Sequence, residues 1–82
     1  MTIYVVLPGG SAYPIDISKD WTIDKLESII TLRFGLAFDT VCLLYDDEPL
    51  YGFFTIADYG IKAGDSLYVG IWFGKNLVVA NS

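Results

Sequence analysis

The chain has 82 residues, 54% of them hydrophobic and 18% charged, and its five basic and ten acidic side chains leave a net charge of −5. That length allows one domain, and that composition excludes a disordered chain. No apolar run approaches the ~18 residues of a bilayer span, so no membrane role is expected, and an acidic surface does not suit nucleic-acid phosphates. The apolar content exceeds what a small core needs, because a domain of this size buries only ~60% of the surface its unfolded chain exposes. The surplus serves a partner or invites aggregation.

Several chemistries are absent from the composition. There is no histidine, which removes Ser-His-Asp and Cys-His catalysis, imidazole acid–base work and histidine-ligated metals. Cys42 is the only cysteine, so no internal disulfide forms, and its neighbours Val41 and Leu43 supply no cation to activate it as a nucleophile. The N-terminus lacks the basic and long apolar regions of a signal peptide. A cytoplasmic or nuclear location is therefore expected.

In chain order, Thr2-Ile3-Tyr4-Val5-Val6-Leu7 is rich in β-branched and aromatic residues and stops at Pro8-Gly9-Gly10, a strand entering a hairpin turn. Tyr13-Pro14-Ile15-Asp16-Ile17 alternates, and Pro14, lacking an N–H, places this second strand at a sheet edge. The period then changes. Thr22 is a helix N-cap, Ile23, Leu26 and Ile30 follow at helical spacing, and Gly35 ends the helix, which is predicted at 22–34. Trp21 and Leu26 match a hydrophobic staple, whereas Lys25 stands where a capping box needs Glu or Gln. Val41-Cys42-Leu43-Leu44-Tyr45 is a third strand, closed by the acidic turn Asp46-Asp47-Glu48-Pro49. That turn has too few ligands and no central glycine for calcium, so no metal site is expected. Leu50 to Gly64 is irregular, and Ser66-Leu67-Tyr68-Val69-Gly70-Ile71-Trp72 is the last strand. One helix between a hairpin and later strands belongs across one face of a mixed sheet.

These segments are colinear with the ubiquitin-like family. Met1-Thr2-Ile3-Tyr4-Val5 resembles its first strand, and Ile23, Asp24, Leu26, Ile30 and Gly35-Leu36 resemble its helix and helix exit. Thr55-Ile56-Ala57-Asp58-Tyr59-Gly60-Ile61, followed by Leu67, is similar to the family's T-L-x-D-Y-x-I…L signature. The resemblance runs without a gap from Met1 to about Gly74. It implies an α+β, ubiquitin-like β-grasp fold: a mixed sheet of strand order 2-1-5-3-4 with one helix packed across one face. The expected organisation is a ubiquitin-like domain over 1–74, then a tail or the start of a linker over 75–82. One expectation is that the domain is the N-terminal part of a larger parent chain.

The departures from the family bear on function. Conjugated relatives end in Gly-Gly, whereas here Trp72-Phe73-Gly74-Lys75-Asn76 has one glycine with eight residues beyond it. The positions similar to the family's chain-building lysines are Val6, Ser11, Glu27, Ile29, Arg33, Glu48 and Ala63, none of which carries an amine. A non-conjugated domain is expected.

Strand alternation points Ile3, Val5, Ile15, Ile17, Val41, Leu43, Leu67, Val69 and Ile71 at the helix. Tyr4, Val6, Cys42, Leu44, Tyr68, Gly70 and Trp72 share the other face, which, with Pro8, resembles the surface by which ubiquitin-like domains meet their receptors. Leu44 matches the isoleucine at its centre, Pro8 and Gly70 replace a leucine and a valine, and Tyr68 replaces a histidine. The basic surround is also lost, at Cys42, Glu48 and Trp72. Tyr4, Tyr68 and Trp72 instead add aromatic area of the kind enriched at interface hot spots. The competing reading is that these aromatics shield the sheet or contact the tail Leu77-Val78-Val79-Ala80. Ile29, Leu32, Phe34, Phe53 and Phe54 add further apolar surface or deepen the core.

The leading expectation is a non-catalytic, cofactor-free interaction module that docks a protein partner, a ubiquitin-pathway component or another domain of the parent chain, through Tyr4, Val6, Pro8, Cys42, Leu44, Tyr68, Gly70 and Trp72. One alternative is a ubiquitin-like modifier processed after Gly74 to a single-glycine terminus. Another is a self-associating domain that forms a homodimer through the same face or an edge strand.

Overall fold

The computed structural model describes residues 1–80, so Asn81 and Ser82, the last two positions of the expected tail, lie outside the described residues. β1 (Thr2–Val6) and β2 (Ala12–Asp16) form an antiparallel hairpin, and α1 (Ile23–Phe34) follows. β3 (Val41–Tyr45), the short β4 (Glu48–Pro49), β5 (Ser66–Phe73) and β6 (Asn76–Val78) complete the sheet. Its order is β2-β1-β5-β3-β4, the β-grasp order, with β1 and β5 parallel and β6 an addition paired to β5. β2 pairs with β1 alone, so Pro14 sits on an edge strand as its missing N–H requires.

The helix forms where its signals are. Thr22 Oγ1 accepts a hydrogen bond from the Lys25 N–H at 3.1 Å, and Gly35, at φ 66°, ends the helix by donating its N–H to the Thr31 carbonyl. Ile23, Leu26 and Ile30 are fully buried beneath it, whereas Leu32 is 84% exposed. They meet Ile3, Val5, Ile15, Ile17, Leu43, Leu67 and Val69 from the sheet. Val41 and Ile71, also expected in that row, are only half-buried at its rim. Tyr13 lies 39% exposed with its ring 5.0 Å from Phe34, because the edge strand has no further neighbour to cover it. Trp21 packs against the core cluster and carries the Lys25 ammonium 4.5 Å above its ring.

The stretch expected to be irregular is anchored to the helix entry. The Ile23 N–H donates to the Phe54 carbonyl and the Asp24 N–H to the Gly52 carbonyl, both at 2.9 Å, while the Ile56 N–H donates to the Trp21 carbonyl. Two of the orphan amides of the helix start are thereby satisfied. Thr55 and Asp58 bond reciprocally: the Thr55 N–H donates to Asp58 Oδ2 and the Asp58 N–H to Thr55 Oγ1. Leu50, Ile56 and Ile61 from this stretch complete the core. Phe53 and Phe54 do not deepen it. Their carbonyl-anchored loop leaves them 74% and 38% exposed.

Glu27 introduces a pH dependence. Burial first, and the Asp24 carboxylate one turn earlier second, push its carboxyl from 4.5 up to about 7. The folded state then holds this proton more tightly than the unfolded chain does. The stability it contributes is present below its ordinary value and is lost as pH rises through about 7. Glu27→Gln should flatten the fall between about pH 5 and about pH 8. Discounted for partial exposure, it should raise stability at the higher pH by about 1 kcal/mol. Urea unfolding at both pH values checks this, and an unchanged slope in the variant contradicts it. Asp65, held below its usual range, acts in the opposite sense, and only as pH falls through the carboxylate range.

Among the described residues, no helix is long and apolar enough to cross a membrane, and no group of three or more His, Cys, Asp or Glu could hold a metal ion.

Candidate interaction face

The register of the sheet assembles the site. Val6 is opposite Ala12 on one side and Tyr68 on the other, Tyr68 is opposite Leu44, and Leu44 is opposite Pro49. Ala12, Val6, Tyr68, Leu44 and Pro49 therefore form one row across the face turned away from the helix. Tyr4 lies in a neighbouring row between Pro14 and Ser66, and Gly70 is opposite Cys42.

Both hairpins that border this face close with two-residue turns. Asp46 and Asp47 have φ of 51° and 65°, the positive pair that a type I′ turn requires, and they join β3 to β4. Between Phe73 and Asn76, φ is positive at Gly74 (61°) and not at Lys75, the pattern of a type II′ turn with glycine first. The second turn folds the chain back on itself. At Ile71, β3 pairs through Val41 and β6 through Val78, so β6 lies on the side of β5 that β1 occupies further along.

That reversal places Leu77 beside Trp72 on the outer face. A Cβ on Gly70 would come within 2.8 Å of Leu77 Cδ1 and 3.2 Å of both Leu44 Cδ1 and Val79 Cγ2. The absence of a side chain at Gly70 is what lets the tail lie down here. The contact foreseen as the competing reading, between the tail and this face, thus exists at Leu77 and Val79.

The expected site residues divide accordingly. Tyr4 and Trp72 are open, at 41% and 44% exposure. Leu44, Tyr68, Pro8 and Cys42 are half-buried. Val6 and Gly70, expected on an exposed face, are buried, Val6 within the cross-strand row and Gly70 beneath Leu77 and Val79. A depression of about 540 Å³ remains beside the tail. Leu44, Tyr68 and Val79 give it apolar walls, and Asp46, Asp47 and Asp65 line it as well.

Asp65 is locked in its charged form. Its Oδ2 accepts the Lys62 N–H at 2.9 Å and the Tyr45 hydroxyl at 2.7 Å, and these bonds hold its carboxyl below the usual range. The same bond pushes the Tyr45 phenol up to about 12, so it remains a donor. Burial, and next the Glu27 charge, raise the Cys42 thiol above its ordinary value, which works against the thiolate form.

A second apolar surface lies at the helix entry. Phe53 and Phe54 are tilted against each other with ring centroids 4.5 Å apart, Phe54 meets Tyr59 edge-on at 5.6 Å, and Tyr51 is 63% exposed. The adjacent phenylalanines were its only mark in the sequence.

A family model described as Ubiquitin family matches residues 3–71. The chain belongs to the ubiquitin family. The match runs from within β1 to within β5 and ends before the turn and β6, so the tail over the sheet lies beyond what the family model describes. No curated protein matches the chain. Ubiquitin-like domains generally act through contacts with other proteins, which agrees with a site made of surface and charge.

Proposed function

We propose that this ubiquitin-like domain is a non-catalytic, non-conjugated interaction module, working in the cytoplasm or nucleus, that docks a protein partner on the outer face of its sheet. The observation that carries the proposal is the row centred on Leu44 and Tyr68, flanked by the open rings of Tyr4 and Trp72. Aromatic side chains supply large contact area with little rotamer freedom to lose, which is why they dominate interface hot spots. Pro8 and Cys42 sit at the margin, and Val6 and Gly70 support the floor from beneath.

The position of Gly74 favours docking over the processed-modifier alternative. Gly74 is the first residue of the β5–β6 turn, and a protease that needs an extended substrate meets it only after β6 has detached. Self-association is disfavoured by charge, since each copy brings −5 to the contact.

Amide chemical shifts of the labelled domain, followed during titration with ubiquitin-receptor helices and with candidate partners, test the proposal. Perturbations from any partner that binds should centre on Tyr4, Leu44, Tyr68 and Trp72. A true partner whose perturbations avoid all four removes the site assignment.

A further inference from the structure

The depression beside the tail has a one-sided chemistry. Leu44, Tyr68, Val79 and Ala80 bring apolar surface to its lining, and Asp46, Asp47 and Asp65 bring three acidic residues to the same lining. Among the described residues, no lysine or arginine lines it. Asp65 is held by two hydrogen bonds, and the two-residue turn, with positive φ at both Asp46 and Asp47, sets where their backbone stands beside the groove.

Resting on the docking reading above, we infer that the occupant of this groove is an amphipathic segment of another protein, with an apolar anchor for Leu44 and Tyr68 and lysine or arginine beside it for Asp46, Asp47 and Asp65. The acidic edge alone is a solvated turn. Joined to an apolar groove, it sets the sign of the partner, because like charges brought to a contact are strongly disfavoured and opposite charges speed encounter. A second copy of this chain is a poor occupant: its five cations are scattered, with Lys25 over Trp21 and Arg33 beside Phe34, within a net charge of −5. The acidic helices that suit a basic-rimmed ubiquitin face are excluded by the same sign.

Two synthetic amphipathic peptides test this: leucines on one face and lysines elsewhere, and the same sequence with glutamate for every lysine. The lysine peptide should shift the amides of Leu44, Tyr68 and Val79, and its affinity should fall several-fold as salt shortens the screening length. The double substitution Asp46→Asn with Asp47→Asn should weaken it about tenfold, from two rim charges of a few-fold each. Asparagine tolerates positive φ, so the turn survives this change, and the variant's own amide spectrum confirms it. Equal binding of the glutamate peptide in the groove, or indifference of the lysine peptide to the double substitution, overturns the inference and leaves docking at this face intact. Binding of the lysine peptide at Phe53 and Phe54 instead overturns both.

Discussion

Leu26→Ala should lower the unfolding free energy by about 3 kcal/mol, the usual cost of removing a fully buried leucine and leaving a partly collapsed cavity. Leu26 is 0% exposed, at the centre of the helix face that meets the sheet. At ~0.05–0.15 kcal/mol per residue, a chain this short holds only about 4–12 kcal/mol in total, so the loss is a large share of it. The melting temperature should fall by roughly 12–24 °C. Leu32→Ala on the same helix is the control. With 84% of its surface in water, Leu32 should change stability by no more than about 0.5 kcal/mol. Denaturant midpoints at unchanged slope measure both, and equal costs at the two positions would mean that the helix packs by another face.

Gly70→Val should lift the tail off the sheet. The substitution restores the valine that the family resemblance places at this position, and its Cβ alone would meet Leu77 Cδ1 at 2.8 Å. Three responses compete. Overpacking with the tail held in place costs about 1–3 kcal/mol. Rotating the Leu77 methyl away leaves Val79 and Leu44 still crowding the new methyls, each 3.2 Å from the Cβ. Detaching β6 gives up a three-residue strand and the burial of two aliphatic side chains, about 1–2 kcal/mol when each is only partly covered. Detachment is the softer route. Hydrogen exchange at Asn76–Val78 should therefore rise to loop rates while β1, β3 and α1 keep their protection, and total stability should fall by about 1–2 kcal/mol. Protected amides at Asn76–Val78, together with a loss well above 3 kcal/mol, would show that the tail is held more firmly than this packing allows. Leu77→Ala in the Gly70→Val background should recover part of the loss, since the two side chains contend for one space.

Much of the fold is legible in the sequence because its signals are local. Alternation in Thr2–Val6 and Ser66–Phe73 and the cap pair Thr22 and Gly35 each act over a few residues, and the structure places those elements within a residue or two of the expected bounds. Where contacts are long-range, the pattern is silent. Leu50, Ile56 and Ile61 reach the core from separate turns, so no period links them. Phe53 and Phe54 are as apolar as core residues, yet backbone bonds from Ile23 and Asp24 hold their loop with the rings outward.

The same division runs through the candidate site. Alternation alone puts Leu44, Tyr68 and Trp72 on one face. Whether that face is open depends on a hairpin whose only local mark is Gly74 before Lys75, between Phe73 and Leu77. Leu77 and Val79 alternate about Val78, as a strand covering that face requires, but three paired residues are too short a run to stand out from a linker. The acidic edge of the groove was in plain view as Asp46-Asp47. What sets that turn beside Leu44, Tyr68 and Asp65 is strand pairing between distant segments, which no local pattern carries.

Photo-crosslinking tests the central claim, that the outer sheet face is where this ubiquitin-like domain meets its partner. A photo-reactive phenylalanine analogue is carried at the position of Trp72, and in separate samples at those of Phe53 and Leu32, in cells that express the chain. Adducts to another protein should form from the position of Trp72 and be lost when Leu44→Glu is introduced beside it, while the other two positions stay silent. The same adduct arising from Phe53 or Leu32 and absent from Trp72 would place the contact at the helix side and contradict the account.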